Sequence, residues 1–267
     1  MYSSIIKENP NDKKRIDINL GSMEYMQYTG LKVFQLKPSD VVEETVKSDR
    51  EVCIVIVSGY IDLLLNEQLY ENLGNRETPF VEEAPYAVYV TAGDSYSIKV
   101  VKDAEIAICY SIGEKTYPSR VIEPQTMLVE HRGYGQIQRT AKNILPETED
   151  ADSLLVVEVI TKGGNWSSFP SHRHDEDDLP NQTFLEEIYY HKLNPNEGGF
   201  VFQRIYDDSG EVNDAYVVKN NNCVLVKKGY HPVSVPPGYD CYYLNVMAGP
   251  KRKWKFYNDP YFEKLLK

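Results

Sequence analysis

Short apolar runs separated by turn residues recur along the whole chain. The first set is LKVFQL (31–36), EVCIVIVSGYIDLLL (51–65), YAVYVT (86–91), YSIKVV (96–101) and EIAICYSI (105–112). A second set follows: SLLVVEVIT (153–161), LEEIYYHKL (185–193), GFVFQRIY (199–206), DAYVVKN (214–220), NCVLVKK (222–228) and DCYYLNVMAG (240–249). Val, Ile and Tyr dominate these runs, and such residues favour a pleated, half-buried surface over a helix. Their short spacing, with Gly, Pro, Asn and Asp in the connections, predicts an all-β sandwich or barrel. Only PYFEKLLK at the C-terminus reads as a short docking helix, with Phe262, Leu265 and Leu266 on one face.

The two sets resemble each other. YAVYVTAGDSYSIKVVKDAEIAICYSIG (86–113) aligns without a gap to NCVLVKKGYHPVSVPPGYDCYYLNVMAG (222–249), each with a turn glycine, Gly93 or Gly229, after its first strand. That predicts a duplicated β domain. The polar stretch 130–153 reads as the connection, so the expected domains are 1–140 and 141–267.

At 267 residues the chain is long enough for two such domains. Its formal net charge of -11 argues against nucleic acid and anionic membranes as partners. An anionic small molecule would need a local cluster of Arg or Lys. Cys53, Cys109, Cys223 and Cys241 are scattered through apolar runs without a CxxC spacing, as buried reduced thiols would be. With no apolar run of membrane-spanning length and a polar N-terminus, a cytoplasmic protein is expected.

The histidines sharpen this picture. There are five, and none precedes His131. His172 and His174 are one residue apart, so on a strand both imidazoles point to one face and Arg173 to the other. An acidic run follows at once, which leaves Asp175, Glu176, Asp177, Asp178, Glu186 and Glu187 as acids that could complete a metal site. Glu187, Tyr189 and His191 share one strand face, and His231 lies two residues past Gly229. An HxH pair, a Glu on a following strand and a Gly-x-His on a later one is the metal-binding arrangement of cupin β-barrels. Three imidazoles and a carboxylate suit an octahedral divalent ion with two open positions. In the first set Ser95 takes the place of His231 and no HxH exists, so the expectation is one site per chain, in the second domain. His191 reads as a rim residue, a substrate contact or neither, and His131 as structural or interfacial.

SLLVVEVITKGGNWSSFPSHRHDEDDLP, LEEIYYHKLNP, GFVFQRIY and VLVKKGYHPVSVPPGYDCYYLNVMAGPKRKWKFYNDP resemble the 5-deoxy-glucuronate isomerases of myo-inositol degradation. These are similar to the ketol-isomerases of 4-deoxy-5-ketouronate. The resemblance covers nearly all of 153–260 and continues more weakly through HRGYGQIQRTAKNILP. It implies a bicupin, one divalent metal per chain with zinc expected and manganese or iron as alternatives, and conversion of 5-deoxy-glucuronate to 5-dehydro-2-deoxy-gluconate. It places the ligands on His172, His174, Glu187 and His231, with Ser171 where a Pro would be expected. Closed bicupins commonly assemble, which makes a homo-oligomer an open expectation.

Such chemistry needs a group to carry a proton between carbons. Tyr243 is the first candidate, and Tyr189 and a detached Glu187 are the others. A cation must meet the substrate carboxylate. Arg204, read as facing into the barrel, Lys251 and Arg252 are the candidates, with Asn245 as a further substrate contact on the Tyr243 face. The acidic loop DEDDLPNQTF is read as part of a rim or lid over the metal. The rival readings are an Fe(II) cupin dioxygenase and a non-catalytic bicupin that binds sugar acids.

Overall fold

The computed structural model describes residues 4–21 and 26–266. Nearly all regular structure is strand, gathered into two barrel-like units. In the first, one sheet runs in the order Lys14–Ile18, Thr29–Leu36, Ser95–Ile112, Arg50–Leu65, Ala87–Val90 and Arg120–Ile122. Val41–Thr45 and Gln68–Arg76 pair along the two long strands. In the second, a seven-stranded sheet runs Ile5–Ile6, Cys223–Val226, Glu186–Asn194, Asp240–Ala248, Leu155–Thr161, Arg139–Leu145 and Leu128–Arg132. It faces a four-stranded sheet of Trp166–Ser167, Val233–Ser234, Val201–Tyr206 and Asn213–Val218. His172–Arg173 pairs with Tyr257–Asn258 as a small separate ribbon.

Three apolar cores follow from strand parity. The first barrel is filled by residues such as Val52, Ile54, Ile98, Ile108 and Tyr110. The second holds Val157, Tyr189, Val224, Val233 and Tyr243. Between them lies a shared core of Cys53, Val55, Cys109, Ile188, Tyr190, Leu225 and Leu244. Strands Arg50–Leu65 and Glu186–Asn194 are thus buried on both faces, which explains their unbroken apolar character.

Buried carboxylates fix this packing. Glu158 accepts a bidentate pair from Arg76 at 2.6 and 2.7 Å and lies 3.1 Å from Lys142 Nζ. Burial opposes its charge, but the two cations hold its carboxyl below the usual range. Glu186 accepts from the backbone of Gln27 and Tyr28. Glu51 accepts from Tyr89 and from the backbone N–H groups of Asp152, Ser153 and Leu154. Each of these carboxylates needs its donors, because a buried charge without partners is strongly destabilising.

Two expectations about organisation change. A boundary at residue 140 would cut strand Arg139–Leu145, which pairs with Leu128–Arg132 on one side and Leu155–Thr161 on the other. The sheets part instead around residues 123–127, and Ile5–Ile6 returns to the edge of the second sheet. The gap-free match between halves also fails in its last strand. Ile108 and Tyr110 line the first barrel, but their aligned positions, Leu244 and Val246, lie in the shared core. Tyr243 and Met247 line the second barrel instead. A shift of one residue exchanges the faces of a strand, and bulges in the pairing of Arg50–Leu65 with Ser95–Ile112 provide the irregularity that such a shift requires.

The C-terminal helix is one short α-turn, Pro260–Glu263, continued by a tighter turn to Leu266. Asp259 caps it by accepting from Tyr261 N, Phe262 packs 5.0 Å from the ring of Phe169, and the Leu265 carbonyl accepts from Tyr134. The side chain of Leu266 lies outside the described residues. Among the described residues no helix is long and apolar enough to cross a membrane.

Candidate metal centre

Three elements bring the site together. The ribbon strand His172–Arg173 presents His172 and, one residue beyond its end, His174. Strand Glu186–Asn194 presents Glu187, and the turn before Val233–Ser234 presents His231. Gly229 makes that turn. Its φ of 92° lies in the left-handed region, and a Cβ there would come within 2.7 Å of the Tyr206 carbonyl oxygen. Its N–H donates to Asp175 at 2.7 Å, and its carbonyl lies 2.8 Å from His231 Nδ1.

The ligating atoms of His172, His174 and His231 all lie within 4.8 Å of one another. His172 Nδ1 lies 3.2 Å from the Pro170 carbonyl and His174 Nδ1 2.9 Å from that of Leu185. With the His231 contact to Gly229, every imidazole therefore turns Nδ1–H onto a backbone carbonyl. That fixes the tautomer and leaves Nε2 as the free lone pair, the usual support of a metal-bound histidine. Glu187 Oε2 is 3.1 Å from His174 Nε2 and 3.2 Å from His231 Nε2. Its other oxygen accepts from Asn245 Nδ2.

The electrostatics match this geometry. Burial pushes His172 well below its ordinary range, and the neighbouring imidazoles add to the effect. Burial also opposes a charge on His174, but Glu187 beside it reverses the direction and raises it. Glu187 itself is held far below the usual carboxylate range, because its hydrogen bond with His174 and the charge of the His174 and His231 imidazoles beside it outweigh burial. His231 Nε2 is buried and makes no hydrogen bond despite its closeness to Glu187. A buried polar atom without a partner is rare. Three imidazoles whose ligating atoms cluster within 4.8 Å, with the Glu187 carboxylate 3.1 and 3.2 Å from two of them, account for it as a cation-binding arrangement, and these residues fit a divalent metal ion.

Next to this cluster lie Tyr189 and Tyr243, with ring centroids 5.0 Å apart. Ser168 Oγ joins them, 3.0 Å from the Tyr189 hydroxyl and 3.5 Å from that of Tyr243. Beyond them His191 stacks 5.8 Å from Tyr189, with Nε2 2.9 Å from Gln203 Oε1. His191 is fully buried and so is no rim residue; burial lowers its pKa to about 4. His131 is exposed and meets Thr140 across the sheet edge.

The expected substrate cations lie elsewhere. Arg204 points out of the barrel, donates to Asn213 at 3.1 and 2.9 Å and stacks 3.9 Å over Tyr206. Val201, Gln203 and Ile205 take the buried face of its strand, so the inward reading of Arg204 is corrected. Arg252 is spent on the carbonyls of Leu154, Glu147 and Pro146. Lys251 is exposed and pairs with Asp177 at 2.7 Å. The acidic run is tethered away from the histidines: Asp175 holds Gly229 N and Arg173, while Glu176 lies 3.5 Å from Arg173. Ser168, Gln203 and Phe256, whose ring lies 4.7 Å from His172, join the site without any sequence signal.

The KduI/IolB family matches residues 5–265 of this chain. The 5-deoxy-glucuronate isomerase of Geobacillus kaustophilus (strain HTA426) is 50% identical over 234 residues, 88% of this chain and 84% of the relative. That of Bacillus subtilis (strain 168) is 48% identical over 242 residues, 90% of this chain and 89% of the relative. An IolB-like protein from Salmonella typhimurium LT2 superposes with a TM-score of 0.95 at 38% identity, covering 98% of this chain and 99% of the other. A mutant of Bacillus subtilis oxalate decarboxylase superposes at 0.66 with 10% identity, over 97% of this chain and 80% of the other, and shares the fold alone. With a match across almost its whole length and relatives near half identity, the chain belongs to the KduI/IolB family.

Proposed function

We propose that this chain is a metal-dependent aldose–ketose isomerase that converts 5-deoxy-glucuronate to 5-dehydro-2-deoxy-gluconate. The observation that carries the reading is the clustering of three imidazoles, His174 and His231 buried and His172 half-buried, with the Glu187 carboxylate against two of them, beside two buried tyrosines. The relatives named 5-deoxy-glucuronate isomerase supply the substrate class. His172, His174, Glu187 and His231 would hold one divalent ion, with zinc favoured by the nitrogen-rich donor set. Such an ion supplies Lewis-acid stabilisation of negative charge on the substrate oxygens, on the order of several kcal/mol.

The chain's own residues divide the remaining work. Glu187 is already committed, one oxygen to the imidazoles and the other to Asn245, so it acts as a ligand. Burial raises both tyrosine hydroxyls, and Tyr189 goes well above its ordinary value because the Glu187 charge adds to burial. Ser167, Ser168 and the Arg139 cation counter the burial of Tyr243. Tyr243 is therefore the better proton carrier, and Tyr189 the donor that stays protonated. Isomerisation moves one proton from the carbinol carbon to the aldehyde carbon and one from hydroxyl to carbonyl oxygen, so no further reactant is consumed. The loop 175–184, tied through Asp175 to Gly229 and through Asp177 to Lys251, forms the rim.

The test is metal analysis of purified protein with NMR of 5-deoxy-glucuronate turnover before and after chelation. The expected result is about one divalent ion per chain, loss of turnover on its removal and recovery with zinc. Undiminished isomerisation by metal-free protein would overturn the mechanism. Oxygen consumption with iron and no isomerisation would establish the dioxygenase, and sugar-acid binding without turnover the silent bicupin.

A further inference from the structure

Resting on the isomerase reading above, we infer that Arg139, supported by Arg132, receives the carboxylate of the substrate at the far side of the second barrel's mouth from the metal ligands. A uronate carries its charge at the opposite end from its reacting aldehyde. An acidic chain offers that charge no general attraction, so a local cation must be built in.

Arg139 and Arg132 are directly opposed across adjacent antiparallel strands. Like charges in that relation repel. On the same strand face as Arg139 lies Ala141, a residue of the second barrel's interior, so both guanidinium stems start from the interior side. Arg132 is compensated: it pairs with Glu130, donates to Asn143 Oδ1 at 3.3 Å and stacks 5.7 Å from Trp254. Arg139 is not. Among the described residues it has no carboxylate within ion-pair distance, and its hydrogen bond is to its own loop, Nη1 to the Ile137 carbonyl at 3.0 Å. A guanidinium has five donors in a planar fork that matches a carboxylate. A half-buried Arg set against a second Arg, with most of that fork unused, is arranged for an anion.

The position is continuous with the metal centre. Aromatic contacts run from His172 to Phe256 at 4.7 Å, from Phe256 to Trp254 at 6.2 Å and from Trp254 to Arg132. On the other side Arg139 is within electrostatic reach of Tyr243 and Tyr189. The two arginines therefore complete a ring of residues that starts at the metal ligands and returns through the tyrosines.

Arg139→Gln and Arg139→Lys test this with two substrates: the uronate, and the uncharged aldose in which a hydroxymethyl group replaces the carboxylate. For Arg139→Gln, kcat/KM on the uronate should fall roughly 30-fold or more, chiefly through KM, with Arg139→Lys recovering part of it. On the uncharged aldose both variants should lose far less than on the uronate, and only through kcat, because the Arg139 charge also reaches Tyr243; bound metal should be unchanged. Equal losses on both substrates, or none on the uronate, overturn the assignment. Binding of gluconate, a non-reacting sugar acid, read by tryptophan fluorescence, should weaken about as much. If wild-type protein fails to isomerise the uronate, the proposed function falls, and the gluconate titration still decides the role of Arg139.

Discussion

The two barrels share their strand plan and differ in what fills them. The first is closed by Val, Ile and Leu, and the hydroxyls of its interior tyrosines Tyr96 and Tyr110 are both tied to Glu44. The second has a similar apolar floor, but His174, Glu187, His191, Gln203, His231 and Asn245 are buried within it. Buried polar groups are tolerated only when each has its partner. The first barrel spends its interior on stability; the second gives up apolar area to hold a donor set. The fold supplies the frame, and the chemistry rests on a few inward positions of one copy.

Glu51 and Glu187 make the contrast local. Each sits near the start of a doubly buried strand, opposite the residue one before the end of its final partner strand: Ser111 for Glu51, Met247 for Glu187. Glu51 turns away from its barrel interior to the Asp152–Leu154 amides, and burial raises its pKa even against those donors. Glu187 turns inward to two imidazoles and is lowered. The largest expected effect separates them. Glu187→Gln should lose bound metal and about 10³-fold in turnover. Glu51→Gln should lower stability by about 1–3 kcal/mol and leave metal content and turnover per folded molecule intact. Loss of metal in both variants would break the distinction.

What could be read in the sequence follows from the same contrast. That His172, His174 and His231 would come together was legible from alternation along a strand and a turn glycine, while the family resemblance was needed to single out Glu187 among six nearby acids. Arg204 was misread because VFQRIY carries bulky apolar residues on both faces, and only pairing with Asn213–Val218 and Val233–Ser234 decides which face is buried. The domain boundary was misplaced because strand Leu128–Arg132 is mostly polar or exposed as the sheet edge, so its sequence resembles a linker. Arg139 belonged to the segment RTAKNIL, whose alternation places it with Ala141 and Asn143, but no partner strand was visible to say that this face lines a site.

A second way to sharpen the comparison uses proton linkage. The first barrel contains no histidine. In the second, His191 has a native pKa of about 4, lowered by burial, against an ordinary value of 6.5. Between these values the unfolded chain binds more protons than the native one. Stability from this group is therefore complete above about pH 6.5 and lost as pH falls toward 4, by up to about 3 kcal/mol. Urea denaturation of chelated wild type and His191→Gln at neutral and mildly acid pH isolates it, since the other histidines contribute equally to both. The variant should show the shallower pH dependence. Parallel curves would mean that His191 already titrates normally in the native barrel.

The smallest effect tests whether tyrosines in the two interiors do different work. Tyr110 in the first barrel donates to Glu44 at 2.7 Å, beside the Tyr96 hydroxyl, which donates to the same carboxylate oxygen. Tyr243 faces neutral hydroxyls instead, with a long 3.5 Å contact to Ser168 and Ser167 beside it, within electrostatic reach of Arg139. A hydroxyl held that loosely keeps its proton available to a substrate, whereas one tied to a carboxylate does not. Tyr243→Phe should reduce kcat by about 100-fold with KM and metal content little changed, while Tyr110→Phe should leave kcat at the wild-type value. A further readout separates proton transfer from packing: exchange of the substrate's carbinol proton with D2O, followed by NMR, should slow in Tyr243→Phe in step with turnover. If exchange continues at the wild-type rate while turnover falls, Tyr243 positions the substrate, and the proton carrier must be sought in Tyr189 and the Ser168 bridge that joins the two hydroxyls.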